Sequence, residues 1–314
     1  MRQSLHSVLL WVRRPRPKLR RRAELFVLLS PATVLFLGFV IAPIGIAVYY
    51  SFYSWNGYGP LTDFIGLKNY SDALSGTVFH TAVQHNVELV AFSLLLQLPL
   101  IVALALLLNR RMRGRSVFRL VVFAPYLLSE ATAAIVWTLM LSPDGFVDKM
   151  LRSIGLGSLI HGWLGDPGIV FYVLFVVITW KYLGFGVILL LAGLQAVPAE
   201  LREAAAIDGA SSWQATRMVV LPLLGPTIRI WIFLSVIGSL QLFDLVWIMT
   251  LGGPAHASTT MVTYMIDHGY RGNEYGYGSA VSVVVFVICF AFALAYQRYV
   301  LRRDTDGALT RAAG

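Results

Sequence analysis

The sequence contains few charged residues and a single cysteine. Asp, Glu, Lys and Arg make up 13% of its 314 residues, whereas soluble domains carry about 25%. Cys289 is the one cysteine, which excludes an intramolecular disulfide and a cysteine-based metal site. Hydrophobic residues reach 57%. These proportions exclude an ordinary soluble domain and indicate an integral membrane protein.

Nucleotide-binding and catalytic motifs are also missing from the sequence. None of its four lysines follows a glycine, so the Gly-Lys pair of a phosphate-binding loop is absent. The patterns HExxH and GxSxG do not occur either. We therefore expect no catalytic residue and no metal site, and we expect this chain to bind no cofactor.

Long apolar runs are the main feature that is present. A helix that crosses a bilayer needs about 20 apolar residues, and lipid-exposed backbone must satisfy its hydrogen bonds within the helix. Six membrane helices are predicted, at residues 25–52, 86–108, 118–141, 168–193, 226–249 and 279–301. Pro99 is expected to kink the second of them.

The predicted fold class is all-α, a polytopic membrane helical bundle. Residues 1–24 form a basic N-terminal tail, residues 25–301 form the six-helix membrane domain, and residues 302–314 form a C-terminal tail. The loop at residues 194–225 lies between the fourth and fifth spans.

Lysine and arginine are distributed unevenly between the two sides of this predicted bundle. Nineteen of the 25 lie in the N-terminal tail, in the loops at 109–119 and 194–225 and in the C-terminal end from Arg298, and only four lie in the remaining loops. Because basic loops stay in the cytoplasm, both termini and the 194–225 loop are predicted to be cytoplasmic. This bias explains most of the net charge of +9, so we expect no nucleic-acid partner.

A polar segment at residues 198–226 separates two of the apolar runs. Pro198 suits the first turn of a helix, and Gly209 suits the left-handed position just beyond a helix end. Ser211 and Gln214 have the spacing of a capping box, which predicts a second helix. The segment is therefore predicted to be a cytoplasmic helix–turn–helix.

Two interpretations of this segment are open from its residues. It is longer than most helix–helix connections, which have about 2–8 residues, and its alanines would let another backbone approach closely. It is therefore either an ordinary connection or a docking element. Pro222 and Pro226 are expected to mark the end of its second helix and the entry to the next span.

The residues Glu203-Ala204-Ala205, Asp208-Gly209-Ala210 and Leu221-Pro222 resemble the EAA signature of the membrane subunits of ABC importers. The form present here is similar to that of the maltose-type permeases for sugars and polyols. Further segments, such as FDLVWIMTLGGP, extend the resemblance over most of residues 86–300. Thr216 departs from the family, in which an aromatic residue is common at this position.

This resemblance implies the transmembrane domain of a type I ABC importer in the plasma membrane of a prokaryote. A cytoplasmic coupling helix would seat on separate ATPase subunits, which bind ATP and Mg. The implied partners also include a second homologous permease and an extracytoplasmic solute-binding protein that delivers a sugar-like solute. The residues assigned to ATPase coupling are Glu203, Ala204, Ala205, Asp208, Gly209, Ala210, Leu221 and Pro222.

Four charged residues in the predicted spans need an explanation, because charge there is costly and is often functional. Arg229, near the start of the fifth span, is expected to snorkel to the membrane surface, which leaves three. Glu130 is placed near the middle of the third span, Lys181 near the middle of the fourth, and Asp244 in the outer part of the fifth. Lys181 could pair with Glu130 or with Asp244. Such a pair would either hold the bundle together or border the solute path.

Similarity to the maltose-type permeases also indicates a solute path along two segments. It assigns Gly184 and Val187 in the fourth span, and Ser239 and Gln241 in the fifth. Helix packing is the alternative explanation for each of these residues.

The function predicted from the sequence is a non-catalytic permease subunit of an ATP-driven importer for a sugar, oligosaccharide or polyol derivative. One alternative is an ion-coupled secondary transporter that uses the three intramembrane charges. Another is an ABC importer permease for a non-sugar solute. A membrane enzyme or a scaffold is disfavoured, since no nucleophile or metal cluster is recognisable.

Overall fold

The computed structural model describes residues 18–110 and 112–301, and its secondary structure is helical, so the all-α prediction is confirmed. The α-helices, in chain order, are α1 Lys18–Phe36, α2 Ala42–Tyr50, α3 Lys68–Ser75, α4 Thr77–Phe92, α5 Leu98–Asn109, α6 Arg115–Leu127, α7 Glu130–Met140, α8 Phe146–Ser153, α9 Val170–Gln195, α10 Ala199–Ile207, α11 Ser212–Ala215, α12 Leu221–Leu240, α13 Asp244–Thr250, α14 Met261–Ile266 and α15 Tyr275–Tyr296.

The chain divides into two units, residues 1–49 and residues 50–314. In the first unit, α1 and α2 follow one another through a π-helical turn at Leu37–Ile41. Helix α1 begins at Lys18, inside the segment predicted to be a tail. The remainder of that predicted tail and the predicted C-terminal tail lie outside the described residues.

Within the described ranges, five helices are long and apolar enough to cross a membrane, and a bent pair makes up to six. The five are Leu25–Tyr50, Thr77–Asn109, Val170–Gln195, Ser212–Thr250 and Tyr275–Leu301. The bent pair consists of α6 and α7, whose axes differ by 99°. The predicted number of spans is thus reached only if α6 and α7 together count as one.

The third predicted span is therefore not one continuous helix, as residues 118–141 had indicated. Leu128 and Ser129 have extended backbone between α6 and α7. The Ser129 hydroxyl then accepts the backbone N–H of Thr132 at 3.1 Å and begins α7. The break arises because Ser129 caps the start of α7. The apolar run in the sequence continues across this position.

The fifth predicted span also differs from the structure, in its interior and at its start. Residues 241–243 separate α12 from α13, so the apolar run at 226–249 contains a second break. At its start, helical structure runs from Ser212 through Pro222 and Pro226 into α12. The prediction that these prolines end a helix was wrong.

Three prolines account for three of the five π-helical turns in the described part of the chain. A five-residue π turn ends two residues before each of three prolines, Pro43, Pro99 and Pro222. Proline has no N–H, and its ring clashes with the carbonyl four residues before it. The wider π turn relieves that conflict, because its backbone N–H groups bond to the carbonyl five residues earlier. Leu98 N, for example, donates to Ser93 O. One of these π turns lies beside Pro99, where a kink was predicted.

Helix α9 lies at the centre of the second unit. Its first half packs with α7 and α13 in a cluster that includes Leu174, Val177 and Leu245. Its second half packs with α5 and the start of α12, in a cluster that includes Leu190 and Leu224. The position of α9 against α6 and α7 places its polar residues at the break between those two helices.

Candidate functional site

Lys181 donates hydrogen bonds to the backbone carbonyls at the broken end of α6. The last carbonyls of a helix have no partner within the helix. The Lys181 ammonium donates to the backbone oxygens of Pro125 at 3.4 Å, of Tyr126 at 3.2 Å and of Leu128. A cation at a helix C-terminus is also favoured by the helix dipole. Lys181 therefore stabilises the end of α6.

The residue after Lys181 holds the other side of the same break. The Tyr182 hydroxyl donates to the carboxylate of Glu130, which is the first residue of α7. A carboxylate at a helix N-terminus is favoured by the dipole. Glu130 thus lies at the start of a helix and not in the middle of one, as the sequence had indicated.

Neither predicted ion pair forms in the part of the chain that the structure describes. Lys181 donates to backbone oxygens and Glu130 accepts from Tyr182. Asp244 is the first residue of α13, where it is exposed. Glu130 and Asp244 each begin a helix after a break, whereas Lys181 lies within α9 and binds the carbonyls at the end of α6.

The break in the fifth span is held by two polar side chains from other elements. The buried Asn86 on α4 donates to Ser239 O at 2.6 Å and to Leu240 O at 3.4 Å, and it accepts the N–H of Met261 at 2.8 Å. Thr260 donates its hydroxyl to Leu242 O at 2.8 Å. Asn86 therefore connects the end of α12 with the start of α14.

A cavity of about 290 Å³ lies beside these breaks. This is near the lower end of the range for ligand pockets, roughly 300–1,000 Å³. Its walls come from α4, the adjoining π turn, α6, α9 and α12. The hydroxyl and amide side chains among them are Ser93, Gln97, Tyr126, Tyr182, Ser235 and Ser239. The remaining walls are mostly apolar and include Phe175, Phe185 and Trp231.

Ser239 is the one residue assigned to the solute path that lines this cavity. Gln241 is exposed just after α12 and is not part of the cavity wall. Val187 is 1% exposed and packs in the α5–α9–α12 cluster. The Cβ of an alanine at Gly184 would lie 2.2 Å from the backbone oxygen of Val122. The structure thus places Gly184 and Val187 in helix packing.

Ser93, Gln97 and Ser235 were not assigned to the path from the sequence. The hydroxyls of Ser93 and Ser235 are hydrogen bonded to each other across two helices, and Ser93 donates to Gln97 Oε1 at 2.9 Å. Isolated serines barely alter an apolar run. Asn86, Glu88 and Gln97 interrupt the second span visibly, and the polarity of Gln97 was the available signal for this cluster.

The segment at residues 198–222 has the local geometry that its sequence predicts. Helix α10 ends in a Schellman motif, in which Ala210 N donates to Ala205 O at 2.9 Å and Gly209 N donates to Ala206 O at 3.1 Å. Gly209 has a φ of +83°. Ser211 and Gln214 form the capping box that starts α11. The predictions for Gly209 and for the capping box are confirmed.

The residues assigned to coupling are mostly exposed. Glu203, Ala204, Asp208, Gly209 and Pro222 are exposed, whereas Ala205, Ala210 and Leu221 are half-buried. Large apolar side chains accompany them, with Ile207 at 86% and Met218 at 71% exposure.

Comparisons with known proteins give a consistent result. The family described as binding-protein-dependent transport system inner membrane component matches residues 97–304. The trehalose/maltose transport system permease protein MalF of Thermococcus litoralis is 34% identical over 88% of this chain and 94% of its own. The lactose transport system permease protein LacF of Rhizobium radiobacter is 32% identical over 88% of this chain and 93% of its own.

A solved structure shares the fold as well. A bacterial alginate ABC transporter, in complex with an alginate pentasaccharide-bound periplasmic protein, contains a chain that matches with a TM-score of 0.78. The two chains are 25% identical, and the match covers 90% of this chain and 96% of the other.

Proposed function

We propose that this chain moves a sugar, oligosaccharide or polyol derivative across the membrane. The chain belongs to the family of binding-protein-dependent transport system inner membrane components. It is a multi-pass membrane permease subunit of an ABC importer. The observation that carries the proposal is the cavity beside the two helix breaks. Its hydroxyl and amide groups suit the polar edges of a sugar, and its aromatic side chains suit the C–H faces.

The relatives support a sugar-like solute. MalF of Thermococcus litoralis and LacF of Rhizobium radiobacter are named for trehalose, maltose and lactose transport. The alginate transporter is solved with a pentasaccharide on its periplasmic protein. The solute is delivered by an extracytoplasmic solute-binding protein.

The energy comes from a separate ATPase, which binds ATP and Mg, and this chain is not catalytic. The segment at residues 198–222 is the contact with that ATPase and lies in the cytoplasm together with both termini. Its Schellman motif and capping box fix α10 relative to α11 without help from the rest of the bundle. The exposed side chains of Glu203, Ile207 and Met218 form the contact surface. A second homologous permease completes the membrane part.

The test is uptake of radiolabelled maltose, trehalose and lactose by proteoliposomes that contain this chain with its partner permease, its ATPase and its binding protein. We expect uptake of at least one neutral sugar that requires both ATP and the binding protein. Uptake by this chain alone under an ion gradient would instead support a secondary transporter. Absence of uptake of every sugar, with ATPase activity stimulated by a non-sugar solute, would contradict the sugar class.

A further inference from the structure

Arginines are concentrated where α5 ends and α6 begins. Within ten residues the chain carries Arg110, Arg111, Arg113, Arg115 and Arg119, here called the arginine patch, and no acidic residue occurs in residues 89–129. Among the described residues, Arg110, Arg113 and Arg115 form no ion pair with a carboxylate. The positive-inside rule needs an excess of basic residues on this side of the membrane. It does not require so dense a cluster without counter-charges.

The arginine patch lies at the boundary between lipid and water. The membrane-spanning helix Thr77–Asn109 ends immediately before it. Beyond it, Val117, Phe118 and Val121 on the first turns of α6 are between 56% and 64% exposed. An arginine beside apolar, lipid-facing surface lays its aliphatic stem along that surface and keeps its charged end at the headgroups. The patch is therefore at the level of the lipid phosphates.

The backbone that carries the patch has a defined conformation. Arg119 donates from Nη2 to Leu108 O at 3.2 Å, which ties the start of α6 to the end of α5. Gly114 has a φ of +76°, which turns the chain into α6. Residues 112–116 line an open hollow at the surface. Arg113 in this hollow is exposed and Arg115 is half-buried, so both guanidinium groups are available to a ligand that reaches it.

We propose that the arginine patch binds the phosphate groups of anionic phospholipids in the leaflet that it faces. Clusters of about four to eight basic residues beside a membrane helix are attracted to anionic lipid, and a guanidinium can form two parallel hydrogen bonds with one phosphate. An acidic surface of the ATPase is the competing occupant. Lipid is favoured because the patch adjoins the lipid-facing side chains of α6. The inference requires only that the chain spans a membrane and is independent of the transported solute.

The experiment measures lipid binding to the purified, assembled transporter by native mass spectrometry. The probes are dioleoyl phosphatidylglycerol and dioleoyl phosphatidylcholine, which share their acyl chains and differ in net charge. One variant combines Arg113→Gln with Arg115→Gln, and a second combines Arg113→Lys with Arg115→Lys and so retains the charge. The matched control combines Lys68→Gln with Lys149→Gln, because these lysines are exposed and lie outside the patch.

We expect the wild type to bind phosphatidylglycerol at least about tenfold more tightly than phosphatidylcholine. The glutamine variant should weaken phosphatidylglycerol binding about ten- to thirtyfold, because each basic group near an anionic surface contributes about fivefold. Its binding of phosphatidylcholine should not change. The lysine variant should retain most of the phosphatidylglycerol binding, and the control should match the wild type.

Two results would overturn the proposal. One is equal binding of the two lipids by the wild type. The other is unchanged phosphatidylglycerol binding in the glutamine variant, and loss of ATPase copurification in that same variant would then assign the arginine patch to the ATPase.

Discussion

Lys181 and Leu128 are joined by a hydrogen bond from the lysine ammonium to the backbone oxygen of the first residue after α6. Tyr182, the next residue on α9, donates to Glu130 immediately beyond the helix break. Two consecutive side chains of one helix therefore hold both sides of the 99° bend between α6 and α7. The cation lies at a helix C-terminus and the carboxylate at a helix N-terminus, as the helix dipole favours.

Substitution of Lys181 by Met should destabilise the bend. Methionine fills similar volume but removes the donor from three backbone carbonyls. We expect a loss of about 2–3 kcal/mol of stability, since hydrogen bonds to charged groups contribute about 1.5–3 kcal/mol. Thermal unfolding of the purified transporter would show a melting temperature lower by several degrees. The control Lys68→Met, at an exposed lysine, should have no effect, and equal curves for both variants would contradict this role.

Exchange of the charges at Glu130 and Lys181 should fail to restore function. If the two residues formed an ion pair, Glu130→Lys combined with Lys181→Glu would recover what each single change loses. In the structure they have different partners, and a glutamate at position 181 has no proton to donate to a carbonyl when ionised. We expect the double variant to transport no better than either single one. Recovery in uptake assays would support a direct pair.

Asn86 should be as important for the second break as Lys181 is for the first. Its amide bonds to Ser239 O, Leu240 O and Met261 N. Asn86→Leu would leave these buried groups unpaired, at about 1–3 kcal/mol for each. We expect clearly reduced thermal stability and loss of transport. Gln84→Leu, on the same helix but exposed, is the control, and unchanged unfolding of the Asn86 variant would argue against this role.

The sequence predicted those features that depend on neighbouring residues. The capping box at Ser211 and Gln214 and the left-handed Gly209 are set by residues within one turn, so spacing was enough to find them. The breaks near Ser129 and Phe243 were missed because hydropathy continues across them. What stabilises them comes from distant helices, and a single sequence does not show which helices meet.

The same reasoning explains the assignments to the solute path. Ser239 lines the cavity, whereas Gly184 allows α9 to approach the backbone of α6. From the sequence, a glycine that packs helices and a glycine that opens a path look alike. The distinction depends on the atoms that face the missing Cβ, and these belong to residues about 60 positions earlier in the chain.

Gly184→Ala should therefore destabilise the bundle. The added Cβ would lie 2.2 Å from Val122 O and 2.7 Å from the Cα of Phe123. Because both atoms belong to the backbone, the helices must separate, and overpacking of this kind costs about 1–3 kcal/mol. Thermal unfolding is the measurement. The control is Gly238→Ala, whose Cβ would meet nothing within 4 Å, and it should unfold like the wild type. Wild-type unfolding of Gly184→Ala would show that α6 can move away from α9.

Gly209 allows the coupling proposal to be tested through backbone conformation alone. Nothing lies within 4 Å of a Cβ at this position, so its constraint is the φ of +83°. Proline fixes φ near −65° and cannot adopt this conformation, whereas asparagine tolerates it. We expect Gly209→Pro to leave the protein in the membrane but to reduce copurification of the ATPase and solute uptake at least about tenfold.

The matched variant Gly209→Asn should retain most of both activities, because it preserves the Schellman motif that aligns α10 with α11. Glu203→Lys changes the exposed charge on α10 without touching that motif. It should reduce ATPase binding as Gly209→Pro does if the surface itself makes the contact. Full copurification and uptake in both Glu203→Lys and Gly209→Pro would show that the ATPase docks elsewhere. Loss of both activities in Gly209→Pro alone would indicate that the turn matters and that the charge of Glu203 does not.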